Sequence, residues 1–400
     1  MLNNFATYLG VTIGERRRLL SMAALFLILM IATTLARAVR DAVFVKLAGP
    51  DQLPLMYIAN SVLAVLLTAL YARVVDRLPR HQLMIVLLVV FAASFVALWV
   101  IYPRGYRWFP YALFATSEIY TLLFLIHFWT LANSVFDPRE GKRLFPLVGG
   151  AGLVGVILGG GLTHLAARSL GTINLLLITV VLLLLGAPLA SWVRRSHHGE
   201  ELSFGLARRE GYFATLRSVW SYALVRRLAY LSLPMWLVIY LVEYQFYSAM
   251  DDIFPGPDRL SSFLGIYNSA VSLTGLLLQL FISGRLLQRF GAGTMVLAHP
   301  GSLLIGTGAL MLRGLLPATP APGPLSMRPS LAILARFSDE TMFTSLGDSA
   351  MQLSFNSLPE EIRGRSRAFI TGTVEPLCTV LAGLLLLLLT RPRRATPSSS

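Results

Sequence analysis

Apolar stretches long enough to cross a bilayer, which takes roughly 20 residues of helix, recur along nearly the whole chain and leave no room between them for a separate soluble domain. Of 400 residues, 55% are hydrophobic and only 14% charged. A backbone in lipid must satisfy its own hydrogen bonds, so runs of this length read as helices. The fold class expected is therefore an all-α polytopic membrane protein. The expected spans are 19–45, 53–72, 83–102, 109–136, 144–166, 171–193, 226–249, 260–283, 293–312, 329–356 and 367–390, eleven in all.

The formal net charge is +14, yet the basic residues sit in short loops between apolar runs rather than on a soluble face with interleaved aromatics. Nucleic acid is therefore not an expected partner; the lipid bilayer is. With the N-terminus cytoplasmic, 21 Lys and Arg fall in inside loops against seven outside, the bias that orients inner-membrane proteins. The first span, which begins after Arg16, Arg17 and Arg18, is too long for a signal peptide and reads as retained. The single cysteine, Cys378, lies in an apolar run and excludes an internal disulfide.

Internal repetition sets the domain organisation. "GPDQLPLMYIANS" at 49–61 returns as "GPDRLSSFLGIYNS" at 256–269, and "SEIYTLLFLIHFWTLANSVFDPREGKR" at 117–143 returns more weakly at 339–367. Two parallel halves of six helices are the layout of a major-facilitator bundle, whose site lies near the midplane between halves. The expected divisions are a six-helix half at 1–193, a cytoplasmic linker at 194–225, a five-helix half at 226–390 and a polar tail at 391–400. Basic residues in that tail, on the outer side after eleven spans, suggest a lost twelfth helix. In the linker, Tyr212, Phe213, Leu216, Val219 and Trp220 recur at helical spacing beside Arg208, Arg209 and Arg217, as in an amphipathic helix lying on the membrane.

Charges inside spans cost at least ~2.5 kcal/mol each, so they face partners or a wet cavity. Arg37, Arg40 and Asp41 share a face of the first span, one turn after Thr33. Two readings are open: both arginines hold an anionic substrate, or Arg37 pairs with Asp41 while Arg40 reaches for the interface. In the fourth span Glu118, Thr121 and Asn133 share a face; Glu118 is either a proton or cation carrier or the neutraliser of Arg37 or Arg40. His127, on the other face with Tyr120, reads as structural. In the seventh, Tyr240 and Tyr247 flank Glu243, as a clamp for a flat ring or as an interfacial belt. In the tenth, Glu340, Thr344, Asp348 and Gln352 step by four residues, with Arg336 one turn earlier as a partner for Glu340. That stripe belongs on a central cavity or a helix seam, where some of its acids meet the first-span arginines.

"VGGAGLVGVILGGG" at 148–161 lacks the strand that a phosphate loop follows, and Ala151, Gly155 and Gly159 read as close helix packing. The chain carries no CxxC, HExxH, GxSxG or Walker motif, and His197–His198 lack further ligands. No enzymatic activity, catalytic residue, metal site or cofactor is expected.

The segments "ARAVRDAVFV" (36–45), "ANSVFDPREGKRLFPLVGGAGLVGVILGGGL" (132–162) and "VEYQFYSAM" (242–250) resemble the bacterial relatives of the non-mitochondrial ATP/ADP translocases; "GKRLFPLVG" (141–149) is the most specific piece. The resemblance runs from about residue 19 to 390. It implies nucleotide transport through a twelve-helix bundle, with phosphates held by basic residues late in helix one. Arg37 and Arg40 match that position, with Lys46 just beyond. The acidic residues of helices four and seven fall on Glu118 and Glu243, and the basic position late in the second half on Arg365 or Arg367, in a loop.

The expected function is a monomeric secondary active transporter that moves an organic anion, a nucleotide under the resemblance, by alternating access. The alternatives are a proton-coupled exporter of neutral or cationic compounds that uses Glu118, Glu340 and Asp348, and a non-transporting membrane sensor or scaffold.

Overall fold

Helix α1 (Ile13–Leu47) runs for 35 residues and forms the spine of the molecule. It is apolar on nearly every side, so it has no solvated or lipid face to keep and sinks into the centre. Met22, Leu25, Leu29, Leu35 and Phe44 are fully buried, and Ala32, Ala36, Ala38 and Ala42 let neighbours approach closely. The structure, a computed structural model, describes residues 13–75, 77–196, 219–295, 297, 299–304, 308, 327–347, 354–355 and 358–390.

The chain continues through α2 (Leu53–Val74), α3 (Arg80–Ile101), α4 (Phe109–Val135), α5 (Pro138–Leu170) and α6 (Leu175–Ser196), of which α4, α5 and α6 pack directly on α1. Then follow α7 (Ala223–Ile253), α8 (Pro257–Leu278) and α9 (Gly284–Met295), α9 bent at Gly291 where φ is +76°. A π-helical turn at Gln279–Ser283 joins α8 to α9. Helix α10 (Met327–Met342) runs into a second such turn, Phe343–Gly347. Helices α11 (Glu360–Phe369) and α12 (Glu375–Leu389) are continuous through a third, Ile370–Val374. No strand occurs among the described residues.

Nine helical stretches among the described residues are long and apolar enough to cross a membrane. They match the expected spans except 293–312 and 329–356, which fall partly outside the described residues. The 367–390 segment is longer than expected, reaching back to Ile362. The linker residues Arg208, Arg209, Tyr212, Phe213, Leu216 and Arg217 and the 391–400 tail also lie outside them. Apolar side chains such as Leu66, Leu165, Leu280, Phe281 and Leu389 are exposed on the perimeter, as a lipid-facing surface requires.

Two local features position the bundle. The first is "DPREGKR". Asp137 caps α5 by accepting from the backbone N–H groups of Arg139 (2.7 Å) and Glu140 (2.8 Å), while the Glu140 side chain accepts from the Asp137 N–H. The amide of Glu140 above all, with that of Arg139, holds the Asp137 carboxyl below the usual carboxylate range. Glu140 then pairs with Arg18 (2.7 Å), and Arg143 with Glu15 (2.7 Å), fastening α5 to the start of α1.

The second is the glycine run of α5. A Cβ on Gly155 would lie 2.6 Å from the Leu27 carbonyl oxygen, and one on Gly159 3.0 Å from Ile31, so the run is a packing seam against α1, as the four-step spacing suggested. On its other side Gly160 meets Gly265 of α8, where a Cβ on Gly265 would stand 2.5 Å from the Gly160 carbonyl oxygen and 2.7 Å from the His164 nitrogen. Backbone atoms cannot give way cheaply. Gly265→Ala is expected to lower stability by about 1–3 kcal/mol, read as a fall in melting temperature in detergent; an unchanged melting point would show that this seam is slack.

The hydrogen bonds that join α1–α6 to α7–α12 gather towards the Leu47 end of the bundle. Lys46 donates to the Asp251 carbonyl (2.6 Å), Tyr244 to Asp51 (3.0 Å), and the Thr172 N–H to Asp258 (2.6 Å). Helix α12 adds a close approach there, since a Cβ on Gly383 would lie 2.8 Å from the Pro54 carbonyl oxygen.

Candidate functional site

Below that seal lies a chamber of about 440 Å³ walled by α1, α5, α7, α8 and α10. Helix α1 contributes Arg37 and Asp41, and α7 contributes Trp236, Tyr240, Glu243 and Tyr247. Tyr267 and Asn268 come from α8, and Arg336, Asp339 and Glu340 from α10, with Phe343 in the π turn behind them. The polar side chains are inward because the alternative is lipid, and the aromatic rings fill the wall between them.

The two first-span arginines part company. Arg40 is 3% exposed, donates to Asp41 at 2.6 Å, pairs with Glu118 of α4 and lies 4.5 Å from the centre of the Phe114 ring. It is consumed by these partners and is absent from the chamber wall. Arg37, three residues earlier, is exposed and projects into the chamber. Among the described residues it has no ion-pair or hydrogen-bond partner, and Glu340 across the chamber lies within its field. The expectation that both arginines face a ligand is corrected for Arg40, and so is the alternative Arg37–Asp41 pair: Asp41 serves Arg40 and accepts from Tyr247 (2.7 Å) instead. Three residues along a helix turn a side chain by about 300°, enough to separate a wall residue from a buried one.

Opposite Arg37 is a second cation. Arg336 donates to Glu243 (2.8 Å) and Asp339 (3.0 Å) and lies 2.9 Å from Glu340. Glu243 also accepts from Tyr57 of α2 (3.1 Å), and Asp339 meets the buried His299 at 2.7 Å. The Arg336–Glu340 pairing is the one read from the sequence. Arg336 itself was read only as a partner, because a single arginine one turn from a glutamate looks self-satisfied until α7 is folded against it.

Of the remaining candidates, Tyr240, Glu243, Tyr247 and Glu340 stand on the chamber wall, not in an interfacial belt. Tyr240 packs on Tyr57 with ring centres 4.9 Å apart. Glu118 is off the wall, spent on Arg40, and Asn133 is exposed near the far end of α4, away from the chamber. Asp348 and Gln352 lie outside the described residues. Arg365 and Arg367 are helical, in α11, rather than in a loop, and neither lines the chamber. His127 is structural: it takes a hydrogen bond from the Tyr71 hydroxyl (2.7 Å) and gives one to the Arg80 carbonyl (2.7 Å). Among the described residues no cluster of three or more His, Cys, Asp or Glu could hold a metal.

Comparison with known proteins follows the same lines. Residues 3–122 match the model of the TLC ATP/ADP transporter family. The chain is 23% identical to ADP,ATP carrier protein 4 of Rickettsia bellii over 93% of its own length and 84% of that protein. It is also 23% identical to the plastidic ATP/ADP-transporter of Solanum tuberosum, over 92% and 67%. Among solved structures, the nucleoside transporter NupG superposes with a TM-score of 0.63 at 16% identity, over 92% of this chain and 89% of that one. A bacterial homologue of the iron transporter ferroportin, in its inward-facing state, gives 0.58 at 16%, over 93% and 92%. The fold is of the major-facilitator type.

Proposed function

Since this chain is a relative of the TLC ATP/ADP transporter family, we propose that it is a secondary active transporter whose chamber carries an organic anion, a nucleotide, in exchange for another. One observation carries the reading: Arg37 stands exposed on the chamber wall without a described partner, while Arg40 and Arg336 are bracketed by carboxylates. An unpaired guanidinium inside a membrane bundle is costly and offers a fork suited to phosphate. Trp236, Tyr240 and Phe343 supply flat faces for a base. The chamber volume lies within the ~300–1,000 Å³ typical of small-molecule sites.

In this reading Arg37 takes a phosphate first, and Arg336 joins it by releasing Asp339 together with Glu243 and Glu340. The contacts at Lys46–Asp251 and Tyr244–Asp51 tie the halves together at the Leu47 end, which supports access from the Asp137 end. The excess of Lys and Arg in loops on the Asp137 side supports a cytoplasmic N-terminus and a bacterial-type inner membrane. The proposed division of the halves is the 194–225 linker, and the proposed working unit is a single copy.

The test is exchange in proteoliposomes. Vesicles loaded with ADP are expected to take up labelled external ATP, and empty vesicles are expected to take up far less. Folded protein that moves no nucleotide in any pairing would overturn the assignment.

A further inference from the structure

The chamber that should hold an anion is lined by more acid than base. Arg37 and Arg336 face Glu243, Asp339 and Glu340, and the adjoining Arg40 is matched by Asp41 and Glu118. An entering phosphate draws Arg37 and Arg336 towards itself and leaves these carboxylates short of positive charge, in a medium where uncompensated charge is expensive. Positive charge that enters with the anion offsets that cost.

We propose that the His299–Asp339 pair is a proton-binding site, which takes up one proton as the anion enters the chamber. The inference rests on the transport reading for its anion, not for its site. Asp339 is 2% exposed and bridges a guanidinium and an imidazole: Oδ2 accepts from Arg336 Nη1 (3.0 Å), and Oδ1 meets His299 Nε2 (2.7 Å). When Arg336 swings to the anion, Asp339 keeps only the imidazole. The ring is 1% exposed, and its Nδ1 has no hydrogen-bond partner among the described residues, so this nitrogen has a lone pair free for a proton. Histidine is the side chain whose ordinary titration lies nearest neutrality. One proton on Nδ1 makes an imidazolium that offsets Asp339 and restores the balance that Arg336 gave up.

Charged and titratable groups surround the pair from each neighbouring helix. On α10 itself they are Arg336 and Glu340; on α7, Glu243 and Tyr247; on α8, Tyr267; on α1, Arg37 and Asp41. Tyr57 of α2 reaches the cluster through Glu243. The other carboxylates each have a hydroxyl or guanidinium beside them apart from Arg336: Tyr57 for Glu243, and Arg37 with Tyr267 around Glu340. Asp339 alone has an imidazole.

The sign follows from linkage: an anion that is held together with a proton binds more tightly as pH falls, by at most about tenfold per pH unit for one proton. Calorimetry of ATP binding to the reconstituted wild-type protein, at a pH where free ATP is fully ionised and in buffers of different ionisation enthalpy, counts protons directly. About one proton taken up per ATP is expected; none would overturn the proposal. Infrared difference spectra recorded on addition of sulfate give a second reading that needs no nucleotide. Wild type should show an anion-induced imidazolium signal that is missing in His299→Gln and reduced in Asp339→Asn. Identical difference spectra in all three proteins would place the proton elsewhere. If ATP fails to bind but sulfate induces the imidazolium signal as described, nucleotide exchange falls and the proton site stands.

Discussion

Arg37→Gln is expected to weaken nucleotide binding by roughly ten- to a hundredfold, with a comparable loss of exchange at sub-saturating nucleotide. The figure follows from about 1.5–3 kcal/mol for hydrogen bonds to a charged group. Because Arg37 is exposed in the chamber and has no described partner, the variant should melt within about 0.5 kcal/mol of wild type. Binding measured on purified protein beside a melting curve separates the two. A variant that binds ATP as tightly as wild type would remove Arg37 from the site, and with it the observation on which the anion reading stands.

Arg40→Ala should do the opposite. Its guanidinium is buried between Asp41 and Glu118 and against the Phe114 ring, so truncation leaves two carboxylates facing each other in the bundle. Breaking a buried ion pair from one side costs about 3–5 kcal/mol, which should appear as a large drop in melting temperature or a failure to accumulate in the membrane. Arg40→Met combined with Glu118→Gln should recover part of the loss, because it removes one of the stranded charges together with the cation. Full stability in Arg40→Ala would mean that the pair is ornamental. The contrast is sharp because the two arginines lie three residues apart with similar flanks, "LARAVRDA".

Much of the fold was legible before any coordinates. Runs such as 83–102 and 109–136 could only be spans, and the structure begins and ends those helices within three residues of the expected points. The glycine run of α5 was readable as a seam because small residues at four-step spacing have few other uses in a membrane. Of the residues on the chamber wall, Glu340 stands out in the sequence from the cost of placing polar groups in lipid, and Tyr240, Glu243 and Tyr247 from aromatics one turn to either side of an acid. Asn133 was misplaced, because a shared helix face does not say how far along the bundle the chamber extends.

Hydropathy alone determined that this chain crosses a membrane many times, since lipid admits only helices that satisfy their own backbones and the pattern of such runs is written residue by residue. It also marked which spans carry charge. What only the tertiary structure decided is how those charges pair. Whether Arg40 is spent and Arg37 is free depends on α4 bringing Glu118 beside α1, and the placement of Arg336 among three carboxylates depends on α7 lying against α10. Ion pairing is set by distances of a few ångströms between groups up to 205 residues apart in the chain, and Coulomb energy in low dielectric is steep over that range. Local spacing encodes Arg336–Glu340, but no local pattern encodes the pairs between helices.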